Sequence, residues 1–92
     1  MQYNNLENML TQIDESIKVV AIFGDGRKLK PIYFLWKSRK YKISQIAYTW
    51  ISQEGESKIH HFSVIDTNDD LFEICYNNES MIWKLANVET EG

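Results

Sequence analysis

The hydrophobic positions of this chain follow two different periods, and the change falls near Lys18. The apolar residues before it recur at spacings of three and four, which is typical of one face of a helix; they are Leu6, Met9, Leu10, Ile13 and Ile17. Asn4 or Asn5 is a suitable N-cap. The sequence therefore predicts an amphipathic helix over about residues 5–17. Its apolar stripe would pack against the rest of the domain or, alternatively, against a partner or a second copy.

After Lys18 the hydrophobic period becomes two, which is typical of β-strands. Six apolar runs are separated by short polar segments, at residues 19–23, 29–36, 39–52, 57–66, 71–76 and 81–88. Asp25-Gly26 is a strong hairpin signal, and the later turns are rich in Asn, Asp and Ser. Because every connection is short, neighbouring strands are expected to pair antiparallel as a meander over about residues 18–88.

The alternation of the long third run breaks between Ile43 and Ile46. A β-bulge near Ser44-Gln45 would restore it, bend the strand and bring Tyr48 and Trp50 to the core side. The predicted fold class is mostly β (α+β). We expect a six-stranded antiparallel meander that curls into a small barrel-like sheet, with one N-terminal helix, as a single domain over residues 1–92.

Composition is consistent with a small, dense core in a soluble protein. The 92 residues include three Trp, five Tyr and four Phe, and large rings bury much surface in a short chain. The net charge of −3 gives no overall attraction to nucleic acid or anionic lipid. Cys75 is the single cysteine, which favours a reducing, cytoplasmic location. We expect no secretory signal, no membrane span and no membrane partner.

One stretch of the β region resembles a group of uncharacterised short bacterial β domains, a domain of unknown function. The pattern is Pro31-x-x-Phe34-x-Trp36-x-x-Arg39-x-Tyr41-x-Ile43, continued to Trp50, and Phe62-x-Val64 and the strand from Phe72 to Tyr76 are similar to the second half. The resemblance covers about residues 19–88 and concerns mainly residues assigned to the core. It implies a fold and no activity. Some of these domains resemble appendages of DNA-repair polymerases, which makes nucleic acid a possible context.

The clearest candidate for function is a basic hairpin. Between Arg27 and Lys42 there are seven basic residues and no acidic one. In the predicted register Lys40 and Lys42 share the outer face with Tyr33 and Leu35. Basic residues interleaved with an aromatic ring suit a phosphate backbone. They suit equally the chain's own acidic segment, from Asp66 to Glu91, across a dimer interface. The candidate binding residues are Arg27, Lys28, Lys30, Tyr33, Lys40 and Lys42. The alternative is that these lysines only keep a solvated sheet soluble.

Three other features favour structural roles. Asp66–Asp70 resembles the start of a calcium loop, but Leu71 and Asn77 stand where such a loop needs Gly and Glu, so a polar turn is predicted. His60 and His61 would point to opposite faces of a strand and cannot share one metal. Cys75 fits a half-buried apolar position better than a nucleophile.

No catalytic signature, cofactor motif or metal-ligand spacing is found in the chain. The leading hypothesis is a non-catalytic binding or interaction module with an unknown protein partner or a second copy of itself. The alternative is a weak nucleic-acid-binding domain that uses the hairpin at residues 27–42. We predict no catalytic residue, no metal and no cofactor.

Overall fold

The computed structural model describes the backbone of residues 8–91 and the side chains of residues 11–26 and 28–89. Most of this chain is β-structure, with one short 3-10 turn at Asp25–Arg27. The strands are β1 (Asn8–Phe23), β2 (Leu29–Trp36), β3 (Arg39–Glu54), β4 (Ser57–Asp66), β5 (Leu71–Asn77) and β6 (Ile82–Glu91).

The helix predicted over residues 5–17 is wrong within the described residues, and its first three positions lie outside them. Residues 8–17 form the first part of β1 and pair with β6 as far as Ile17, which lies opposite Trp83. A spacing of four, as between Ile13 and Ile17, keeps two side chains on one face of a strand as well as of a helix. Both isoleucines pack against the core.

Strand β1 also contains a β-bulge within the segment predicted as a helix. The pairing with β6 shifts register between Gln12 and Glu15, and Asp14 has a φ of 54°. Within residues 8–91 the fold is all-β rather than α+β, because this part of the chain consists of six strands, their turns and one short 3-10 turn.

The six strands form a closed antiparallel barrel in the order in which they occur along the chain, so the predicted small β-barrel and meander are confirmed. Closure comes from β1, which pairs with β6 through residues 8–17 and with β2 through residues 18–23. The β2–β3 seam is short: four residue pairs run from Trp36–Arg39 to Tyr33–Lys42. Beyond the Tyr33–Lys42 pair, towards the start of β2, no further residue pairs join the two strands.

Phe34 lies at the centre of the core. Its ring is fully buried, stacks on Tyr41 at 5.1 Å between centroids and meets Phe72 edge-on at 5.2 Å. The buried hydrophobic cluster consists of Phe34, Phe62, Val64, Phe72, Ile74, Leu85 and Val88. Trp36 and Trp83 pack against it.

The prediction that Tyr48 and Trp50 face the core is wrong. Strand β3 has a register shift between Ile43 and Gln45, where one bulge was predicted, and a second between Ile46 and Tyr48. The second shift reverses the effect of the first, so Tyr48 and Trp50 lie on the outer side. Tyr48 is 66% exposed.

The last hairpin is also displaced from its predicted register. Its turn was predicted at residues 77–80, but Asn77 pairs with Ile82 and the turn occupies residues 78–81. The side-chain Oδ1 of Asn77 accepts hydrogen bonds from the backbone N–H groups of Glu79 and Ser80, at 2.8 and 3.0 Å. Met81, the first residue of the predicted run at 81–88, lies in this turn and is 66% exposed.

Pro31 marks an irregularity between β1 and β2. It is buried and pairs with Ala21 where the register shifts between Val20 and Ala21. Proline has no N–H to donate to a β-ladder, and a bulge is one of the places where a sheet accepts it. Among residues 8–91, no helix is long and apolar enough to cross a membrane.

Candidate binding face

The outer side of β1, β2 and β3 gathers basic and apolar side chains on one surface. Residues opposite each other in an antiparallel pair share a face. Val20 lies opposite Tyr33, and Tyr33 lies opposite Lys42. Leu35 is likewise flanked by Lys18 and Lys40. The neighbours of Tyr33 and Leu35 along β2 include the buried Phe34, so this surface faces away from the core. We call it the basic face; it consists of Lys18, Val20, Ile22, Lys30, Tyr33, Leu35, Lys40 and Lys42.

Three aliphatic side chains on the basic face are in contact with water. Val20, Ile22 and Leu35 are 44%, 54% and 41% exposed. Lys30 lies opposite Ile22 in the ladder, so charge and apolar surface alternate at close range. None of the eight positions is acidic. This face can therefore attract negative charge and bury apolar surface in the same contact.

The ring of Tyr33 is already occupied on one side. The Nζ atom of Lys40 lies 4.1 Å from the ring centroid, within the range of a cation–π contact. Lys40 would have to move before a nucleic-acid base could stack on that side of the ring. The aromatic surface available to a base is therefore limited.

Four of the six predicted candidate residues come together on this face: Lys30, Tyr33, Lys40 and Lys42. Lys28 is exposed at the end of the β1–β2 hairpin, where its carbonyl accepts a 2.8 Å hydrogen bond from Gly24 N–H. Arg27 ends the 3-10 turn, and its side chain lies outside the described residues. The binding role of all six stays a prediction.

Sequence reasoning missed the contribution of β1. Lys18, Val20 and Ile22 belong to this face; they were predicted to begin the meander and its first strand, at residues 19–23, but not to share a face with Tyr33. The signal was their spacing of two, which puts all three on one side of a strand. Which residues of β2 lie opposite them depends on the register shift beside Pro31, which the sequence does not show.

A group of polar side chains crosses the outer surface from the second half of β3 to β6. Ser52, His61, Glu73 and Asn87 come from β3, β4, β5 and β6 in turn. Ser52 Oγ lies 2.7 Å from His61 Nε2, and His61 Nδ1 lies 3.4 Å from Glu73 Oε2. Asn87 Nδ2 donates to Glu73 Oε1 at 3.0 Å. Since the Glu73 carboxylate only accepts, His61 Nδ1 donates to it, and Nε2 of a neutral ring accepts from the serine hydroxyl.

The order serine, histidine, carboxylate is also that of an activated nucleophile. Here Ser52 is exposed on an open strand surface, where water competes for the hydroxyl. The His61 ring is held by stacking on Trp50, at 4.8 Å and nearly parallel. We interpret the four residues as a polar brace across the strands, since each hydrogen bond joins one strand to the next.

A shallow depression of about 320 Å³ lies beside this brace. Cys75 lines it and pairs across the ladders with His61 and Lys84. Burial raises the pKa of the Cys75 thiol, Glu73 raises it further, and Lys84 lowers it in part. A raised pKa suppresses the thiolate, so this cysteine is not activated as a nucleophile. No group of three or more His, Cys, Asp or Glu within the described chain is arranged to hold a metal ion.

The fold and its surface define the molecule as a small closed antiparallel β-barrel with a lysine-rich outer face. Comparison of the chain with protein-family models, curated proteins and solved structures finds no match in any of the three.

Proposed function

We propose that this protein is a non-catalytic binding domain whose basic face binds an acidic segment of another protein. The observation that carries the proposal is the alternation of lysines with Val20, Ile22 and Leu35 on one exposed surface. Exposed aliphatic groups gain little against phosphates, but they gain by burial against the apolar side chains of a peptide. Within this proposal the domain works in the cytoplasm, where a lone free cysteine is typical.

Single-stranded nucleic acid is the second candidate. Lys18, Lys30, Lys40 and Lys42 on one face supply charge for a phosphate backbone, and the resemblance to appendages of repair polymerases points in the same direction. The contact between Lys40 and Tyr33 weighs against it, because ring stacking contributes much of the affinity in such complexes.

Three probes distinguish the two candidates in an NMR titration of the isotope-labelled protein. The first is an acidic peptide with Leu interspersed among Glu, the second a Glu-only peptide of equal charge, and the third a thymidine oligonucleotide. The proposal expects the amphipathic peptide to bind most tightly and to shift amide signals of β1, β2 and β3. Equal weak binding of all three probes, or signal changes centred on other strands, would contradict it.

Matched variants separate the charged part from the apolar part of the contact. Lys30→Gln/Lys42→Gln is expected to weaken binding of the peptide roughly two- to thirtyfold, because each of the two exposed charges contributes about 0.2–1 kcal/mol. Ile22→Ser should weaken the amphipathic peptide and leave the Glu-only peptide unchanged. Lys58→Gln, an exposed lysine on β4, is the control and should change nothing. If the oligonucleotide binds best and Ile22→Ser has no effect, the nucleic-acid candidate replaces the proposal.

A further inference from the structure

Within residues 8–91, one edge of strand β3 pairs with no other strand over much of its length. From Ile43 to Glu54 it pairs with β4 on one side, while its pairing with β2 ends at Lys42. Successive residues of a strand direct their N–H and C=O groups to alternate edges. About half of these backbone groups between residues 43 and 54 therefore face a side on which no described strand pairs. A groove of about 390 Å³ marks the start of this gap, between Lys30–Ile32 and Ile43–Ile46.

The open part of β2 carries residue types that discourage strand pairing, since it contains Lys30 and Pro31. The open part of β1, residues 18–23, has one such residue, Lys18, where it begins. Lysine and proline are common devices that keep edge strands from pairing with other chains. By contrast, the eleven residues from Ile43 to Gln53 include no charge and no proline.

The regular part of the open edge is Tyr48–Gln53. Both bulges lie before it, and its pairing with β4 continues without a shift to Glu54. Six residues of strand span roughly 20 Å. Large apolar side chains project from both sides of it: Tyr48 is 66% exposed, and Ile51, of opposite parity, is 61% exposed. Such a composition is typical of a strand whose edge pairs with another strand.

We propose that Tyr48–Gln53 pairs antiparallel with the same segment of a second copy, which forms a symmetric dimer. Free N–H and C=O groups in a row are satisfied by another strand, so the occupant is a β-strand. A charged occupant would find no opposite charge along this edge. The segment itself is uncharged, and a two-fold axis brings each copy's edge against the other without repulsion between like charges.

This interface is separate from the basic face. It uses the second half of β3, whereas Lys40 and Lys42 of the basic face lie in the first half. The proposed dimer and the proposed binding of acidic segments are therefore independent, and a test that refutes one does not refute the other.

Sedimentation equilibrium from about 1 μM to about 1 mM tests the dimer, since this range covers weak self-association. The wild-type chain is expected to pass from monomer to dimer. Tyr48→Lys/Ile51→Lys, which places charge on both sides of the edge, should weaken dimerisation at least tenfold. Met81→Lys changes an equally exposed apolar residue in the β5–β6 turn and should leave dimerisation unchanged. Circular dichroism checks that each variant keeps its β-structure.

Hydrogen exchange of the wild-type chain gives a readout that needs no variant. One alternate set of amides between Tyr48 and Gln53 should exchange rapidly at low protein concentration and slowly at high concentration. A chain that remains monomeric over the whole range would overturn the proposal. So would a dimer that the double variant does not weaken, or one whose β3 amides show no dependence on concentration.

Discussion

Asp66 is the only charged residue in the buried set of the described chain, with 1% of its surface exposed. Its Oδ1 atom accepts hydrogen bonds from the backbone N–H groups of Asn68 and Asp70, each at 2.9 Å. The sequence predicted a polar turn at this position instead of a calcium site, and the structure shows how the carboxylate is used. It satisfies backbone donors that the turn between β4 and β5 would otherwise leave unpaired.

Asp66→Ala is expected to lower the free energy of unfolding by about 2 kcal/mol, because two backbone donors lose their acceptor. Asp66→Asn keeps an acceptor oxygen and should lose less than half as much. Urea unfolding followed by tryptophan fluorescence measures both. Thr67→Ala, an exposed change in the same turn, is the control; an equal loss for Thr67→Ala and Asp66→Ala would refute the assigned role.

The thiol of Cys75 should react slowly with alkylating reagents. Burial, with help from Glu73, raises its pKa, and the thiolate is the reactive form. We expect the alkylation rate of the folded protein to rise with pH at a higher midpoint than that of the same thiol in denaturant. Iodoacetamide labelling followed by mass spectrometry gives both curves, and coincident midpoints would contradict the assignment.

The raised pKa of Cys75 also makes the free energy of unfolding decrease at alkaline pH. Below the pKa of the unfolded thiol both states hold the proton, so Cys75 causes no pH dependence. Above it the unfolded chain loses the proton first, and the wild-type protein becomes less stable as pH rises toward the folded pKa. Cys75→Ala should lack this alkaline loss.

At the scale of single elements, the β2–β3 turn is the clearest case of local strain. Lys37 and Ser38 have φ values of 52° and 63°, which is the type I′ pattern that Asn-Gly usually fills. The sequence predicted a tight turn here despite the unsuitable residue types, and the two residues form it. Each non-glycine residue in this region costs about 1–2 kcal/mol.

Ser38→Gly is therefore expected to stabilise the protein by about 0.5–1 kcal/mol, since relief of strain exceeds the added freedom of the unfolded chain. Thermal and urea unfolding measure the change. Ser16→Gly, in the regular strand β1 at an exposed position, should destabilise by a similar amount. A loss of stability in both variants would mean that the turn is not strained.

Sequence patterns predicted the limits of three strands well. β2, β4 and β5 start and end within a residue of their expected limits. Residues 8–17 of β1 were predicted as a helix because the spacing of four between Ile13 and Ile17 fits one face of a helix as well as one face of a strand. The second bulge of β3 was missed because neither Ala47 nor its neighbours carry a signal for it, and that one residue moved Tyr48 and Trp50 to the outside.

At the scale of the whole molecule, the closure of the sheet into a barrel was predicted, but the strand pairing that closes it was not. A bent meander with one apolar side indicated a barrel, yet the part of β1 that pairs with β6, residues 8–17, was predicted as a helix. The candidate face was predicted only in part: the lysines of β2 and β3 lie in one continuous segment, whereas Lys18, Val20 and Ile22 become part of the face only once their register with β2 is known. The brace from Ser52 to Asn87 depends on four registers at once, which no local pattern specifies.

Asn8 pairs with Glu91, so the two ends of the described chain lie side by side at the end of the barrel opposite the β1–β2, β3–β4 and β5–β6 turns. The order of the strands around the barrel is thus circular, and the point at which the polypeptide is cut is arbitrary for its packing. A circular permutant that joins residues 91 and 8 by a short glycine-rich linker and opens the chain between Asp25 and Gly26 should form the same barrel. Its tryptophan and far-ultraviolet spectra should match those of the parent, at a cost of about 1 kcal/mol for the altered loop. An unfolded permutant would show that the order of synthesis, and not only the ring of strand pairs, determines this fold.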